Sequence, residues 1–382
     1  MVTRIEGLLT TLDEAARDPM IGVRKAKAAG KKAVGCVPYW APVELVHAAG
    51  MHPVELWGGG KITGEGSGYY PAFYCSLLFT LIERALDGSY DDLDAVIVPT
   101  TCDGLRNLEE NWKFAKPEAN VIDFVQPIVR DTPEAKQYLR GQLHHVALRL
   151  EEVAGAPITE RAIRDSIDAY NRQRQAMRKF SELAAQHVDV ITTQARWAVY
   201  AAARGMAVEE HAALVEELNG LLAELPVYEP AGAKVLLTGI LVDNHPLLNM
   251  LSENGLSVVG DLTITESARY LVDIPGKVDP YDSLVAIWQD VRGVSVALDP
   301  KKERGDMLVQ LAAERGADGV VDCVVKFCET EEFDVPVLQQ QMDRAGIPLL
   351  VLDVESQEDT NEQAATRIQA FAEMLALKHG EA

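Results

Sequence analysis

Short apolar runs typical of buried strands alternate with helical stretches in two separate parts of this chain. In the N-terminal part, strands are predicted at residues 33–37, 52–57, 95–99 and 121–125. In the C-terminal part, they are predicted at residues 235–238, 257–259, 319–325 and 349–353. Helices between strands favour parallel pairing, because a parallel pair needs a crossover connection. The sequence therefore predicts an α/β fold of two parallel-sheet lobes, Rossmann-like or flavodoxin-like, joined by a helical segment.

The region between the two parts carries helical periodicity over about residues 132–225, with almost no strand candidates. Gly155-Ala156-Pro157 interrupts this periodicity and Pro226 ends it. A chain of 382 residues is also too long for one ordinary domain. We therefore predict an N-terminal α/β domain at 1–131 with Cys75 and Cys102, a helical connector at 132–230, and a C-terminal α/β domain at 231–382 with Cys328.

A glycine-rich stretch at residues 58–68 follows the second predicted strand. It matches neither the GxGxxG fingerprint nor the P-loop, so a flexible loop is favoured over a phosphate cradle. The chain carries no ATPase motif of its own. Helices are predicted at 42–49, 73–86, 103–114 and from about 360 to 377.

The charge balance argues against nucleic acid as a partner. The chain has 58 acidic and 36 basic side chains and a formal charge of −22, which repels a polyanion over most of the surface. A nucleotide or CoA ester is still compatible, because a few basic side chains or backbone N–H groups can hold phosphates locally. The N-terminus lacks the features of a secretory signal, and no apolar run is long enough for a membrane span. We expect a cytoplasmic protein without a membrane partner.

Three of the five cysteines lie where a metal site could form. Cys102 and Cys328 each follow a predicted strand, and the carboxyl ends of parallel strands are where open α/β sheets place their ligands. Cys75 opens a predicted helix, and a helix N-terminus favours the thiolate that metals require. Cys323 alternates with the inward side of its strand and is interpreted as core, and Cys36 as buried within its strand. The eight histidines show no HxxxH or HExxH spacing, which disfavours a zinc hydrolase.

A set of ordered motifs across nearly the whole chain resembles the 2-hydroxyacyl-CoA dehydratase and benzoyl-CoA reductase family, and the motifs around Cys36 and Cys328 resemble its beta subunits. These motifs are Gly35-Cys36-Val37-Pro38-Tyr39-Trp40, Pro42 to Met51, Phe73-Tyr74-Cys75-Ser76, Cys102-Asp103, Asn111-Trp112-Lys113, Leu237-Thr238-Gly239-Ile240, Asp299-Pro300-Lys301-Lys302 with Arg304-Gly305, Lys326-Phe327-Cys328, Asn361-Glu362-Gln363 and Thr366-Arg367-Ile368-Gln369.

The resemblance implies a heterodimer with a homologous alpha subunit. Each subunit of the family holds one oxygen-sensitive 4Fe-4S cluster through three cysteines and a fourth, non-cysteine ligand, which in this chain implies Cys75, Cys102 and Cys328. An ATP-dependent activator protein injects one electron, which reduces a 2-hydroxyacyl-CoA substrate, held mainly on the alpha subunit, to a ketyl radical. The radical expels hydroxide, loses a β-proton and returns the electron. The implied role of this chain is to relay that electron from activator to partner.

The chemistry of dehydration agrees with this scheme. A β-proton of an ordinary acyl thioester is too weakly acidic for a general base to remove, so a radical is a physical requirement. Fewer than four cysteines leave an open iron site on a cluster, whose potential depends on charge, hydrogen bonds and solvent exposure.

Several alternatives stay open at the level of sequence. Family members often read Cys-Asp-Pro-Glu-Glu after the third ligand, whereas this chain reads Cys328-Glu329-Thr330-Glu331-Glu332, which puts the local turn in question. The chain could instead serve a benzoyl-CoA reductase, or be a non-catalytic two-lobed binding protein with buried structural cysteines. Some family members also carry a flavin, and the sequence does not decide whether this chain binds one. Nor does it identify the acyl group.

Overall fold

The computed structural model describes residues 1–59, 64–355 and 362–380 and contains two four-stranded sheets whose strands are all parallel. The first sheet has the order β2-β1-β3-β4 and consists of β1 (Ala33–Cys36), β2 (His52–Glu55), β3 (Ala95–Pro99) and β4 (Val121–Phe124). The second has the order β6-β5-β7-β8 and consists of β5 (Lys234–Gly239), β6 (Ser257–Thr263), β7 (Gly319–Val325) and β8 (Leu349–Val354). The predicted pair of parallel-sheet lobes is therefore confirmed.

Helices cover the faces of both sheets and fill the region between them. Two single-turn 3-10 helices, Glu65–Gly68 and Ser267–Tyr270, follow the second strand of each sheet. The α-helices, in chain order, are α1 (Val2–Arg17), α2 (Met20–Ala28), α3 (Val43–Ala48), α4 (Ser76–Leu86), α5 (Asp103–Ala115), α6 (Pro133–Ala154), α7 (Glu160–Gln186), α8 (Thr193–Ala202), α9 (Val208–Leu222), α10 (His245–Glu253), α11 (Pro280–Gln289), α12 (Arg304–Arg315), α13 (Glu329–Glu332), α14 (Val335–Ala345) and α15 (Glu362–Gly380).

The two sheets share a strand order in which the first two strands exchange places and the others follow in sequence. This order creates a switch point between β1 and β3 in one sheet and between β5 and β7 in the other. Ligands of open parallel sheets bind outside the carboxyl ends of the strands at such points. The fold thus predicts that a ligand site lies at the loops that follow β1, β3, β5 and β7.

Several predicted boundaries shift by a few residues. α4 begins at Ser76, where the sequence predicts a helix from 73, and β2 ends at Glu55 instead of 57. The predicted start of the last helix at Thr360, and Asn361 of the tail motif, lie outside the described residues, as do residues 60–63 of the glycine-rich stretch.

The far end of the glycine-rich stretch does not form a phosphate cradle. The backbone N–H groups of Gly64 and Gly66 both donate to the Glu83 carboxylate, over 2.8 and 3.2 Å. Glu83 is buried, so a side chain of the protein occupies the position that an anion would take. At the near end, Gly58 has φ of +68°, and a Cβ atom there would lie 2.1 Å from the Thr80 hydroxyl. Only glycine fits that backbone position.

One continuous hydrophobic core contains buried side chains from both sheets and from the helices between them. α1 packs against α8, and α7 packs against α3 and α9. Arg269 of the second lobe forms a bidentate ion pair with Glu55 at the end of β2. These contacts join parts of the chain that lie on opposite sides of the predicted boundaries. They do not separate three independent domains, and the domain limits at 131 and 230 stay predictions. Within the described ranges, no helix has both the length and the apolar character that crossing a bilayer requires.

A buried histidine in the helical region gives a pH-dependent stability. The His211 ring bonds Gln173 Nε2 over 3.0 Å and the Val199 carbonyl over 2.9 Å, so the neutral ring is fully satisfied. Burial lowers the pKa of His211 from 6.5 to about 4. Below pH 6.5 the unfolded chain therefore gains a proton that the folded protein does not accept until about pH 4, and stability falls as the pH drops through that window.

Because of His211, we expect the free energy of unfolding of the wild-type protein to be about 2 kcal/mol lower at pH 5 than at pH 7.5. Urea unfolding of the wild type and of His211→Gln at both pH values measures it, because the variant lacks the titrating ring. An identical pH dependence in the two proteins would contradict the assignment.

Candidate functional site

Three cysteines from the two lobes line a single cavity, here called the thiol cavity. Its volume is about 440 Å³. Cys75 and Cys102 come from the first lobe and Cys328 from the second, so the structure brings together the three cysteines that the sequence selects. The other lining residues are Phe73, Tyr74, Leu78, Thr100, Thr101, Asp103, Gly104, Gln126, Pro127, Ile128, Trp288, Ser295, Val296, Ala297, Leu298, Phe327, Glu329 and Thr330.

Each of the three cysteines occupies the same local position, immediately before a helix. Cys75 precedes α4, Cys102 precedes α5 and Cys328 precedes α13, all three with extended backbone. Residues at this position direct their side chains toward the free N–H groups of the first helical turn. The cysteines therefore stand where Ser, Thr or Asp caps are usual, but none of the three makes a side-chain hydrogen bond that caps its helix.

Burial sets the protonation of these thiols. It raises the pKa of Cys75 to about 11 and that of Cys328 to about 12, and it also raises the pKa of Cys102. Backbone N–H groups at the helix starts act in the opposite direction without overcoming burial. The free thiols are thus protonated at neutral pH, and a bound cation is needed to hold all three as thiolates.

The other two cysteines are buried inside strands. Cys323 lies within β7 with none of its surface exposed, which confirms its interpretation as core. Cys36 is the last residue of β1, 1% exposed, and its Sγ donates weakly to the Val34 carbonyl over 3.7 Å. It lines a smaller neighbouring cavity of about 110 Å³. Neither is among the residues described around the thiol cavity.

Two buried side chains separate the thiol cavity from that smaller cavity and line both. Gln126 donates from Nε2 to the Tyr39 and Trp40 carbonyls, each over 3.3 Å, while the Trp288 ring packs 5.2 Å from the Trp40 ring. Gln126 Oε1 and Trp288 Nε1 are both buried without a hydrogen-bond partner in the described structure. Buried polar atoms of this kind are normally satisfied by water or a bound group. Both atoms belong to side chains that line the thiol cavity.

Arg130 holds the segment that closes the cavity from the second lobe. Its guanidinium donates to the carbonyls of Trp288, Val291 and Leu298 over 3.0, 2.7 and 2.9 Å. The Arg130 carbonyl in turn accepts from Gln289 Nε2 over 2.6 Å. Arg130 follows β4, so the first lobe fixes the loop of the second lobe that forms one cavity wall.

A buried ion network lies beneath Cys328. Arg304 donates to Asp322 and Glu331 over 2.6 and 3.1 Å, and to the Thr238 hydroxyl over 3.0 Å. Ser295 also donates to Glu331 over 2.7 Å, while burial raises the pKa of Glu331 to about 7. The Glu331 carboxylate therefore anchors the turn after Cys328, which forms a one-turn helix despite the missing proline of the family pattern.

The three thiols are not close enough together to bind one metal ion. Within the part of the chain that the structure describes, no three His, Cys, Asp or Glu side chains are close enough together to hold one metal ion. The three sulfur atoms instead surround a cavity with room for a larger group.

Sequence reasoning missed the other residues that line or support the thiol cavity, of which Trp288 lies in α11 and the rest lie in irregular segments. Gln126, Arg130, Trp288 and Ser295 have no spacing that marks them, since each is brought to the site by tertiary packing. The one available signal was position, because Gln126 follows the fourth strand as Cys102 and Cys328 follow theirs. That signal alone does not separate it from any other loop residue.

Comparison with known proteins supports the resemblance seen in the motifs. A sequence model of the family described as 2-hydroxyglutaryl-CoA dehydratase, D-component, matches residues 38–375. The chain is 38% identical to the lactoyl-CoA dehydratase subunit beta of Anaerotignum propionicum over 377 residues, which cover 98% of this chain and all of the relative.

Two further relatives define the range of the similarity. The (R)-2-hydroxyglutaryl-CoA dehydratase subunit beta of Acidaminococcus fermentans is 36% identical over 97% of this chain and all of its own length. A benzoyl-CoA reductase subunit of Thauera aromatica is 24% identical over 92% of this chain and 91% of its own. The chain is therefore more similar to the two dehydratase subunits than to the reductase subunit.

Proposed function

Because this chain belongs to the 2-hydroxyglutaryl-CoA dehydratase D-component family, we propose that it is the beta subunit of a 2-hydroxyacyl-CoA dehydratase, a hydro-lyase that forms 2-enoyl-CoA. The relatives at 36–38% identity are named as beta subunits of such dehydratases. A beta subunit requires a partner, so the proposed enzyme is a heterodimer with a homologous alpha subunit that carries most of the substrate contacts.

The observation that carries the proposal is the convergence of Cys75, Cys102 and Cys328 on one cavity, while Cys36 and Cys323 are buried elsewhere. A cavity of about 440 Å³ with three thiols fits a 4Fe-4S cluster better than a single ion. When bound, such a cluster supplies one-electron transfer at low potential. The donor set thus fits the proposed group.

The chain's own residues would hold and tune this group. The three thiols supply thiolate ligands once a cation offsets the cost of burying their charge. Backbone N–H groups at the starts of α4, α5 and α13 act to lower the pKa of the three thiols, and donors near a cluster's sulfur atoms raise its reduction potential. The loop that Arg130 fixes forms one wall of the cavity.

We propose that the chain uses this centre to accept one electron from an ATP-dependent activator protein and pass it to the alpha subunit. The substrate there would become a ketyl radical that expels hydroxide, and the β-proton of the radical formed in this way would be acidic enough to leave. Since the electron returns after hydroxide and the proton depart, dehydration has no net redox change. The second candidate is a role in a benzoyl-CoA reductase, which the similarity to the Thauera aromatica protein favours.

Iron analysis tests the proposed centre. We expect the anaerobically purified chain to contain about four irons and four labile sulfides, with a broad brown absorbance that bleaches in air. Fewer than about two irons per chain after anaerobic reconstitution would refute the proposed cluster.

A further inference from the structure

A hydroxyl group in the turn after Cys328 contacts one of the three candidate ligands. Thr330 Oγ1 lies 3.3 Å from Cys328 Sγ, within hydrogen-bond reach of a sulfur atom, and Thr330 lines the thiol cavity. Within the described ranges, this sulfur atom is the only hydrogen-bond partner of the Thr330 hydroxyl. The hydroxyl is therefore available to Cys328 and is not held by another acceptor.

The three candidate ligands differ in this respect. Backbone N–H groups at the helix starts act on all three thiols. Among the residues that the structure describes, no side chain forms a hydrogen bond with the sulfur of Cys75 or Cys102, whereas Cys328 has the Thr330 hydroxyl. The sulfur from the second lobe thus has a donor that the two sulfur atoms from the first lobe lack.

The related sequence pattern does not supply this donor. Thr330 stands where the pattern Cys-Asp-Pro-Glu-Glu has proline, and proline offers neither a hydroxyl nor a backbone N–H group. The contact with Cys328 is therefore specific to chains that depart from the pattern as this one does.

The turn holds Thr330 beside the sulfur atom. The backbone N–H groups of Glu331 and Glu332 donate to the Cys328 carbonyl over 2.9 and 3.0 Å. The Phe327 N–H group donates to the Glu332 carboxylate over 3.1 Å. These bonds close the turn on both sides of Thr330, so the contact with the sulfur does not require the turn to reorganise.

Ligation of iron would fix the direction of this hydrogen bond. In the free protein either atom can be the donor, because the thiol and the hydroxyl both carry a proton. A cysteine sulfur that ligates iron has lost its proton and can only accept. The Thr330 hydroxyl is then the donor, and a hydrogen bond to a charged acceptor is stronger than one between neutral groups.

We propose that the Thr330 hydroxyl donates to the Cys328 sulfur when the centre is loaded and thereby raises its reduction potential. Reduction adds negative charge to a cluster and its sulfur ligands, so a donor at a sulfur stabilises the reduced state more than the oxidised state. Thr330 acts through Cys328 and is a positioning residue, in a role that rests on the proposed cluster. The hydrogen bond favours acceptance of the electron from the activator.

Thr330→Val tests this role, because it replaces the hydroxyl by a methyl group of similar size. Reductive titration of the anaerobically purified full-length chain, followed by EPR and visible spectra, measures the midpoint potential. We expect Thr330→Val to lower it by about a tenfold change in the equilibrium constant for reduction, which is about 59 mV for one electron. Thr330→Ala should give a similar shift, and Thr330→Ser, which keeps the hydroxyl, should stay near the wild-type potential.

Thr10→Val is the matched control, since the Thr10 hydroxyl bonds the Glu6 carbonyl on the exposed surface of α1, and it should leave the potential unchanged. An unchanged potential in Thr330→Val, with about four irons retained, overturns the role of Thr330 and leaves the cluster standing. An equal fall in Thr330→Ser also overturns it, because the hydroxyl would then not be the cause. So does loss of iron from both Thr330→Val and Thr330→Ala, since Thr330 would then be needed to bind the group. Fewer than about two irons in the wild type would instead refute the cluster itself, and this role with it.

Discussion

Replacing Cys75, Cys102 or Cys328 singly by Ser should reduce bound iron from about four atoms per chain to a small fraction of that value. Each thiol lies at a helix start on the same cavity, so the loss of one leaves a cluster with only two cysteine ligands. A serine hydroxyl is a poor replacement because iron–sulfur clusters are held by thiolates. Iron and sulfide analysis after anaerobic purification, with the visible spectrum, measures the effect.

Cys323→Ser is the matched control for these variants. It removes a thiol from β7, five residues from Cys328, at a position that is fully buried and outside the residues described around the cavity. Iron content should stay near the wild-type value, with at most a stability loss of about 1–3 kcal/mol from burying a hydroxyl. Cys36→Ser should also keep its iron. Equal iron loss at Cys323 would show that the division between ligands and core cysteines is wrong.

Activity should depend absolutely on two other proteins, an alpha-type subunit and an ATP-hydrolysing activator. The sequence contains no P-loop, and backbone N–H groups at the far end of its glycine-rich stretch bind Glu83. The chain therefore has no recognisable ATP-binding motif with which to drive an electron to low potential. In a dehydration the electron returns after each turnover. A small amount of activator and ATP should therefore support many product molecules, measured as ATP hydrolysed per product at limiting activator.

The same measurement separates the two enzyme candidates. An aromatic reductase consumes electrons in proportion to its product, so a fixed ratio of ATP to product would reject the dehydratase and favour the reductase. Activity of this chain alone would reject both.

The fold was largely predictable because its strands are continuous apolar runs. β3 and β7 have the predicted limits, and every residue of both is buried. Boundaries next to irregular segments were less predictable. The segment before Cys75 is as apolar as the helix that follows, so periodicity alone did not show that α4 begins at Ser76.

The thiol cavity was predictable only in part. The three cysteines follow local rules, since each precedes a helix, and Cys102 and Cys328 also follow strands. Gln126, Arg130 and Trp288 reach the site through contacts between the lobes, and such contacts leave no periodic trace in the sequence.

The origin of the three thiols in two lobes has a mechanical consequence. Cys75 and Cys102 belong to one sheet region and Cys328 to the other, so any group bound to all three is a cross-link that closes a very long loop of the chain. Closing a long loop lowers the entropy of the unfolded chain, so the bound group would also contribute to folding stability. Exposure to oxygen would then do more than inactivate the protein. Loss of the group would remove this cross-link between lobes that the hydrophobic core and the Glu55–Arg269 pair still hold together, so we expect a lower free energy of unfolding and faster proteolysis.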